Sequence, residues 1–187
     1  LSRKTTKKAT TKRPRKPARA KPRFLDELAS KIGGSKLNLC IQCGSCVGSC
    51  PEASVVPQIF YPRLILQWAQ LGLRDKVLSG DAIWICSFCH KCDERCPQGL
   101  KLTELWLAMR NLAVEDGHVA KAPATLVKTL CETGRTVAAD EFTDEQRSDV
   151  GLSRIGLTAS KKAMDEIKKI VDKTRLVEKI KRAEGGA

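Results

Sequence analysis

Apolar residues recur along this chain at the three- and four-residue spacing of helices, and stretches that alternate apolar with polar positions are scarce. Phe24, Leu25, Leu28 and Ile32 share a helical face that Gly33-Gly34 ends. Pro62 suits the first position of a helix, and Leu64, Ile65, Trp68 and Leu71 continue one face of it towards Gly72 and the Ser79-Gly80 break. Thr103 is placed to cap a helix on which Leu105, Met109 and Leu112 recur at i, i+4 and i+7, and Gly117 closes it. Pro123 opens another helix, through Leu126 and Leu130 to Gly134. Residues 135–157 read as a polar loop. Ala159–Arg182 reads as one amphipathic helix with Ala163, Ile167, Ile170, Val171, Val177 and Ile180 opposite its lysines. Such a stripe covers either its own body or another subunit. The expected fold class is all-α.

Two stretches interrupt this pattern with chemistry. Cys40, Cys43, Cys46 and Cys50 are followed by Pro51, and Cys86, Cys89, Cys92 and Cys96 by Pro97. Each cysteine of the second run lies 46 residues after its counterpart in the first. The spacing C-x2-C-x2-C-x3-C-P is that of bacterial ferredoxins, in which three thiolates wrap one corner of a [4Fe-4S] cubane and the fourth serves the other cluster. By that precedent Cys40, Cys43, Cys46 and Cys96 hold one cluster, and Cys86, Cys89, Cys92 and Cys50 the other. Two [4Fe-4S] clusters are therefore expected, with electron transfer as the primary task. Structural zinc usually pairs two C-x2-C knuckles a dozen or more residues apart, whereas here the third and fourth cysteines follow at once. A disulfide framework belongs to short secreted chains. The ninth cysteine, Cys131, stands alone and reads as a small buried hydrophobe.

Charge changes the picture at one end only. The formal net charge is +13, but residues 1–23 carry 11 Lys or Arg and no acid. The remaining 164 residues hold 34 − 11 = 23 basic and 21 acidic side chains, a net +2. The expected organisation is a disordered basic tail at 1–23, a helical double-cluster domain at 24–134, and a loop plus C-terminal amphipathic helix at 135–187. A basic run attracts polyanions, but without interleaved aromatics or a recognisable module a nucleic-acid partner is disfavoured. No apolar stretch approaches the roughly 20 residues of a membrane span, so no membrane association is expected. A reducing, cytoplasmic setting would keep thiolates for iron.

A helix of about 17 residues between the motifs points to the helical ferredoxin arrangement by fold-level analogy. Further, the stretch from Leu39 to His118 resembles the C subunit of heterodisulfide reductase, an iron–sulfur protein of methanogenic archaea. The resemblance is carried by C-I-Q-C-G-S-C-V-G-S-C-P, then L-G-L-R-D-K-V-L-S, then W-I-C-S-F-C-H-K-C-D-E-R-C-P. The C-terminal lysine-rich helix is similar, and the basic tail departs from the pattern. The resemblance implies an all-helical electron carrier with two [4Fe-4S] clusters inside a cytoplasmic complex. Its eight motif cysteines match the family's cluster ligands position by position. It also implies partners: a flavin-containing subunit that supplies electrons, and a disulfide-reducing subunit that acts on the mixed disulfide of coenzyme M and coenzyme B. Hydrogenase or formate dehydrogenase subunits extend that set.

The chain shows no CCG run and no Gly-rich dinucleotide fingerprint, so it reads as the relay and no catalytic residue is assigned. An iron–sulfur relay of a sulfur-oxidising or 2-hydroxy-acid-oxidising complex is the nearest alternative. A metal-stabilised nucleic-acid-binding protein is the alternative of a different class. His90, inside the second run, reads as a donor that tunes a cluster or as a partly exposed filler, and His118 as a capping or surface residue. The first run is uncharged between its cysteines while the second carries His90, Lys91, Asp93, Glu94 and Arg95. Unequal cluster potentials are expected from that contrast.

Overall fold

The computed structural model describes residues 23–31, 36–137, 140–156 and 158–184. The tail expected to be disordered lies almost wholly outside these residues. In chain order the helices are α1 (Arg23–Lys31), α2 (Ser45–Gly48), α3 (Pro51–Val55), α4 (Pro62–Gln70), α5 (Arg74–Leu78), α6 (Lys91–Arg95) and α7 (Leu102–Glu115). They are followed by α8 (Lys121–Thr133), α9 (Glu141–Asp149), α10 (Lys161–Thr174) and α11 (Leu176–Glu184). Short 3-10 turns at Leu37–Leu39 and Asp81–Trp84 lead into the two cysteine runs. Among the described residues there is no strand, as the all-α expectation requires.

Helix α7 is the spine. Leu102, Leu105, Trp106, Ala108, Met109, Leu112 and Ala113 are all buried, because its apolar residues cover more than one face. It packs against α1, α5, α6, α11 and the Asp81–Trp84 turn. Phe60 meets Trp106 edge-on, with ring centroids 5.5 Å apart, the arrangement that ring quadrupoles favour. Phe24, Leu28, Leu37, Ile65, Leu66, Val77, Leu78 and Ile83 complete one core that continues to Cys46 and the other inner cysteines. The cysteine runs are thus built onto the core and not hung outside it.

Arg74 fastens three helices together. Its guanidinium takes Glu27 of α1 in a two-pronged pair (2.8 and 3.0 Å) and donates to Asp116 beyond α7 at 3.1 Å. Glu27, then Asp116, raise its pKa further. The face of Phe24 lies below the same group, 6.0 Å from the ring centroid.

The structure departs from the sequence expectations in several places. The helix between the motifs is broken into α4 and α5 instead of running for about 17 residues, and its buried stripe is Pro62, Ile65, Leu66 and Ala69. Leu64 and Leu71 are exposed. Helix α7 starts two residues earlier than a Thr103 cap allows, and Thr103 is inside it. Helix α8 starts at Lys121, before Pro123, and Leu126 faces solvent. Within the expected 135–157 loop lies α9, which buries no residue and so leaves no apolar stripe to read. It is held by polar bonds: Asp140 accepts from the Thr143 amide at 2.8 Å, and Asp144 accepts from the Ile155 amide at 3.1 Å. The single C-terminal helix is two, because Arg175 takes a left-handed φ of 51°.

The C-terminal stripe covers its own body. Helix α10 packs on α8 and α11 on α7, with Val171 and Ile180 buried, while Ile170 and Val177 remain exposed. Gly134, with φ 73°, makes the α8–α10 approach possible. A Cβ there would lie 2.6 Å from both the Ala159 Cβ and the Met164 sulfur.

Candidate metal centre

The two cysteine runs adopt one backbone twice. The residue before each second cysteine, Gln42 and Phe88, has φ 58° and 56°, and the residue after it, Gly44 and His90, has φ 86° and 62°. A short helix follows in each case, α2 and α6, and the two pack against each other. Each fourth cysteine is then extended, Cys50 at φ −85°, ψ 118° and Cys96 at φ −74°, ψ 115°, as a residue before proline must be. Only four non-glycine residues with positive φ occur among the described residues, and Gln42, Phe88 and His90 are three of them. Left-handed backbone costs about 1–2 kcal/mol for an L-residue. That strain, spent three times in the cysteine runs, forms the kind of backbone concavity that turns N–H groups towards anionic sulfur.

Two clefts result. The first, partly open to solvent, is lined by Cys40, Cys43, Cys46 and Cys96, with Leu66, Leu100 and Leu102 behind them. The second is lined by Cys50, Cys86, Cys89 and Cys92, with Phe60 and Trp106 behind them; Cys46 also reaches it. Each cleft thus has three cysteines from one run and the fourth from the other, and the second has Cys46 besides. Among the described residues no three His, Cys, Asp or Glu side chains converge on a single-ion site.

The donor set fits an iron–sulfur group on its chemistry. Burial pushes the Cys46 thiol up to about 11, with Cys40 and Cys43 adding to the rise. Burial, then Asp93, pushes Cys92 up to about 12, and burial raises Cys86. Crowded, half-buried thiols of this kind ionise when a cation compensates their charge. Cys43, exposed at the mouth of the first cleft, is lowered instead by the Ser45 hydroxyl, 3.3 Å away, and by the Ser45 amide.

Groups beyond the thiols hold the frame. Gln70 of α4 donates to the carbonyls of Leu37 (3.1 Å) and Cys40 (3.0 Å), and accepts at 2.7 Å from Gln42, whose amide also lies 3.7 Å from the Cys40 sulfur. Asp93 is buried and accepts from the Thr103 amide at 2.9 Å, so the cap of α7 comes from α6. Its other oxygen meets His90 Nδ1 at 3.1 Å. His90 is exposed and bonds this carboxylate instead of a sulfur. His118 is exposed past the end of α7, as a surface residue should be. Cys131 lies in α8, half-buried instead of fully buried, and lines neither cleft. Gln70 was not legible from sequence, because its bonds to Leu37 and Cys40 span 33 and 30 residues.

The description "4Fe-4S dicluster domain" belongs to the family whose pattern matches residues 36–100, which contain both cysteine runs. The iron–sulfur C subunit of a CoB–CoM heterodisulfide reductase from Methanopyrus kandleri is 35% identical over 159 residues, covering 80% of this chain and 82% of that protein. The C subunit of an H2:CoB-CoM heterodisulfide, ferredoxin reductase from Methanothermobacter thermautotrophicus is 35% identical, covering 79% of this chain and 82% of that protein. The C subunit of a ferredoxin:CoB-CoM heterodisulfide reductase from Methanosarcina mazei is also 35% identical, covering 75% and 87%. Among the described residues no helix is long and apolar enough to cross a membrane. With the doubled cysteine run, the all-helical architecture and this extent of similarity, the chain belongs to the family of heterodisulfide reductase C subunits.

Proposed function

We propose that this chain relays electrons through two [4Fe-4S] clusters inside a cytoplasmic heterodisulfide reductase complex, from a flavin-containing subunit to a disulfide-reducing one. Cys40, Cys43, Cys46 and Cys96 hold one cluster, and Cys86, Cys89, Cys92 and Cys50 the other. The observation that carries this reading is the lining of the two clefts, each with three cysteines of one run and the fourth of its partner, Cys46 reaching the second cleft as well. When bound, the clusters supply one-electron chemistry at thiolate-held iron.

The chain's own residues do the rest. The left-handed turns at Gln42, Gly44, Phe88 and His90 orient the runs, and Ser45 and Gln42 donate towards thiolate charge at Cys43 and Cys40. Leu66, Leu100, Phe60 and Trp106 exclude water from the inner walls of the clefts. Cys46, touching both clefts, and the α2–α6 contact keep the two sites adjacent, as a relay needs. In this role the chain carries out no substrate chemistry. Relatives named for CoB–CoM heterodisulfide supply the proposed acceptor.

Anaerobic stopped-flow absorbance tests the role. The cluster-loaded chain should be reduced by its flavin-containing partner and reoxidised only when the disulfide-reducing partner and the heterodisulfide are both present. Reoxidation by heterodisulfide with this chain alone would contradict the relay assignment.

A further inference from the structure

The second cysteine run has a positively charged neighbour for which the first shows no like counterpart among the described residues. Arg110 lies on α7, and its guanidinium donates from Nε to the Ile83 carbonyl at 2.9 Å and from Nη2 to the Cys86 carbonyl at 2.6 Å. It stacks on Phe88, 4.4 Å from the ring centroid, and lies 5.6 Å from that of Trp84. Five groups therefore meet at one place: two carbonyls before and at the first ligand of the run, two aromatic faces, and one fixed charge. Burial lowers the pKa of Arg110, and the Cys86 thiolate acts the other way. The same charge favours the ionised form of Cys86. Arg63, which lines the first cleft, is exposed, so solvent and salt screen it far more.

One-electron reduction adds a negative charge to a cluster, and a desolvated cation nearby stabilises the reduced form. We propose that Arg110 sets the potential of the cluster held by Cys86, Cys89, Cys92 and Cys50, its half-buried charge keeping that midpoint above the value a neutral residue would give. This rests on the ligand reading above. Arg110 acts through Cys86 and the cluster and makes no contact of its own with a substrate, so it is a positioning and tuning residue.

The test is an EPR-monitored redox titration of the full-length, cluster-loaded chain with Arg110→Gln, Arg110→Met and Arg110→Lys beside the native sequence. Gln keeps an amide donor for the Cys86 carbonyl, and Met fills the space between the rings if Gln prevents loading. With a neutral residue, the reduced-to-oxidised ratio of one cluster at a fixed ambient potential should fall about tenfold, or 59 mV for one electron, while the other cluster stays put. Lys restores the charge without the fork that reaches both carbonyls, so its ratio should lie between native and the neutral variants. Equal shifts of both clusters, no shift of either, or a Lys variant displaced as far as the neutral ones would each overturn the proposal. A native chain without two cubane signals would instead sink the ligand reading first, before any variant is compared.

Discussion

Gln42 and Phe88 stand 46 residues apart and share a left-handed backbone to within 2° of φ, although neither is glycine. The repeat is therefore structural as well as chemical, and the turn before each second cysteine is part of it. A β-branched residue fits this conformation worst. Gln42 already carries the left-handed strain, so Gln42→Val adds its branching penalty and the loss of the bonds to Gln70 and Cys40. It should cost about 1–2 kcal/mol and lower the iron content of the purified chain. Gln42→Gly relieves the backbone and should retain more iron than Gln42→Val. Equal iron in the two variants would show that the turn is not strained.

Gln70 is the residue through which α4 holds the first run. Gln70→Ala leaves the Leu37 and Cys40 carbonyls without this donor and should destabilise the loaded chain by about 1–3 kcal/mol in denaturant unfolding. Gln70→Glu removes the donor and adds a charge beside the Cys40 thiolate, and should be worse than alanine.

The doubled cysteine pattern was legible in the sequence because its chemistry is local: every spacing that matters is three or four residues. The all-α fold and the face of α7 were legible for a similar reason, since Leu105, Met109 and Leu112 recur on a buried element. Helix α9 was not, because Asp140 and Asp144 hold it instead of an apolar stripe. The break at Arg175 was hidden by a residue type that gives no turn signal. The cap of α7 was misplaced for a third reason. Thr103 is the expected residue type, but it supplies its amide to Asp93, ten residues earlier in another helix.

Asp93 thereby ties α6 to the first turn of α7. Asp93→Ala removes the acceptor for the Thr103 amide and should cost about 1–2 kcal/mol, with faster amide exchange in that turn. Asp93→Asn keeps an oxygen at the same place and should recover most of that loss. If Asn and Ala are equally damaging, the charge of Asp93 matters and its capping role does not.

Gly134 and Gly156 separate packing from backbone strain. Both have positive φ, but a Cβ at Gly134 meets Ala159 and Met164 at 2.6 Å, whereas at Gly156 nothing lies within 4 Å. Gly156→Ala should cost about 1 kcal/mol, the backbone term alone. Gly134→Ala should cost about 1–3 kcal/mol more and loosen α10 from α8, read as earlier proteolytic cleavage after the lysines of α10. Matching losses for the two would show that α10 does not pack as closely on α8 as the structure has it.

Everything proposed for the relay depends on eight cysteines in two clefts holding two cubanes. Anaerobic iron and acid-labile sulfide analysis of the purified chain, with an EPR spectrum after dithionite reduction, decides that point. About eight irons and eight sulfides per chain are expected, with two interacting S = 1/2 signals. Zinc without sulfide, from a preparation competent to assemble clusters, would refute it.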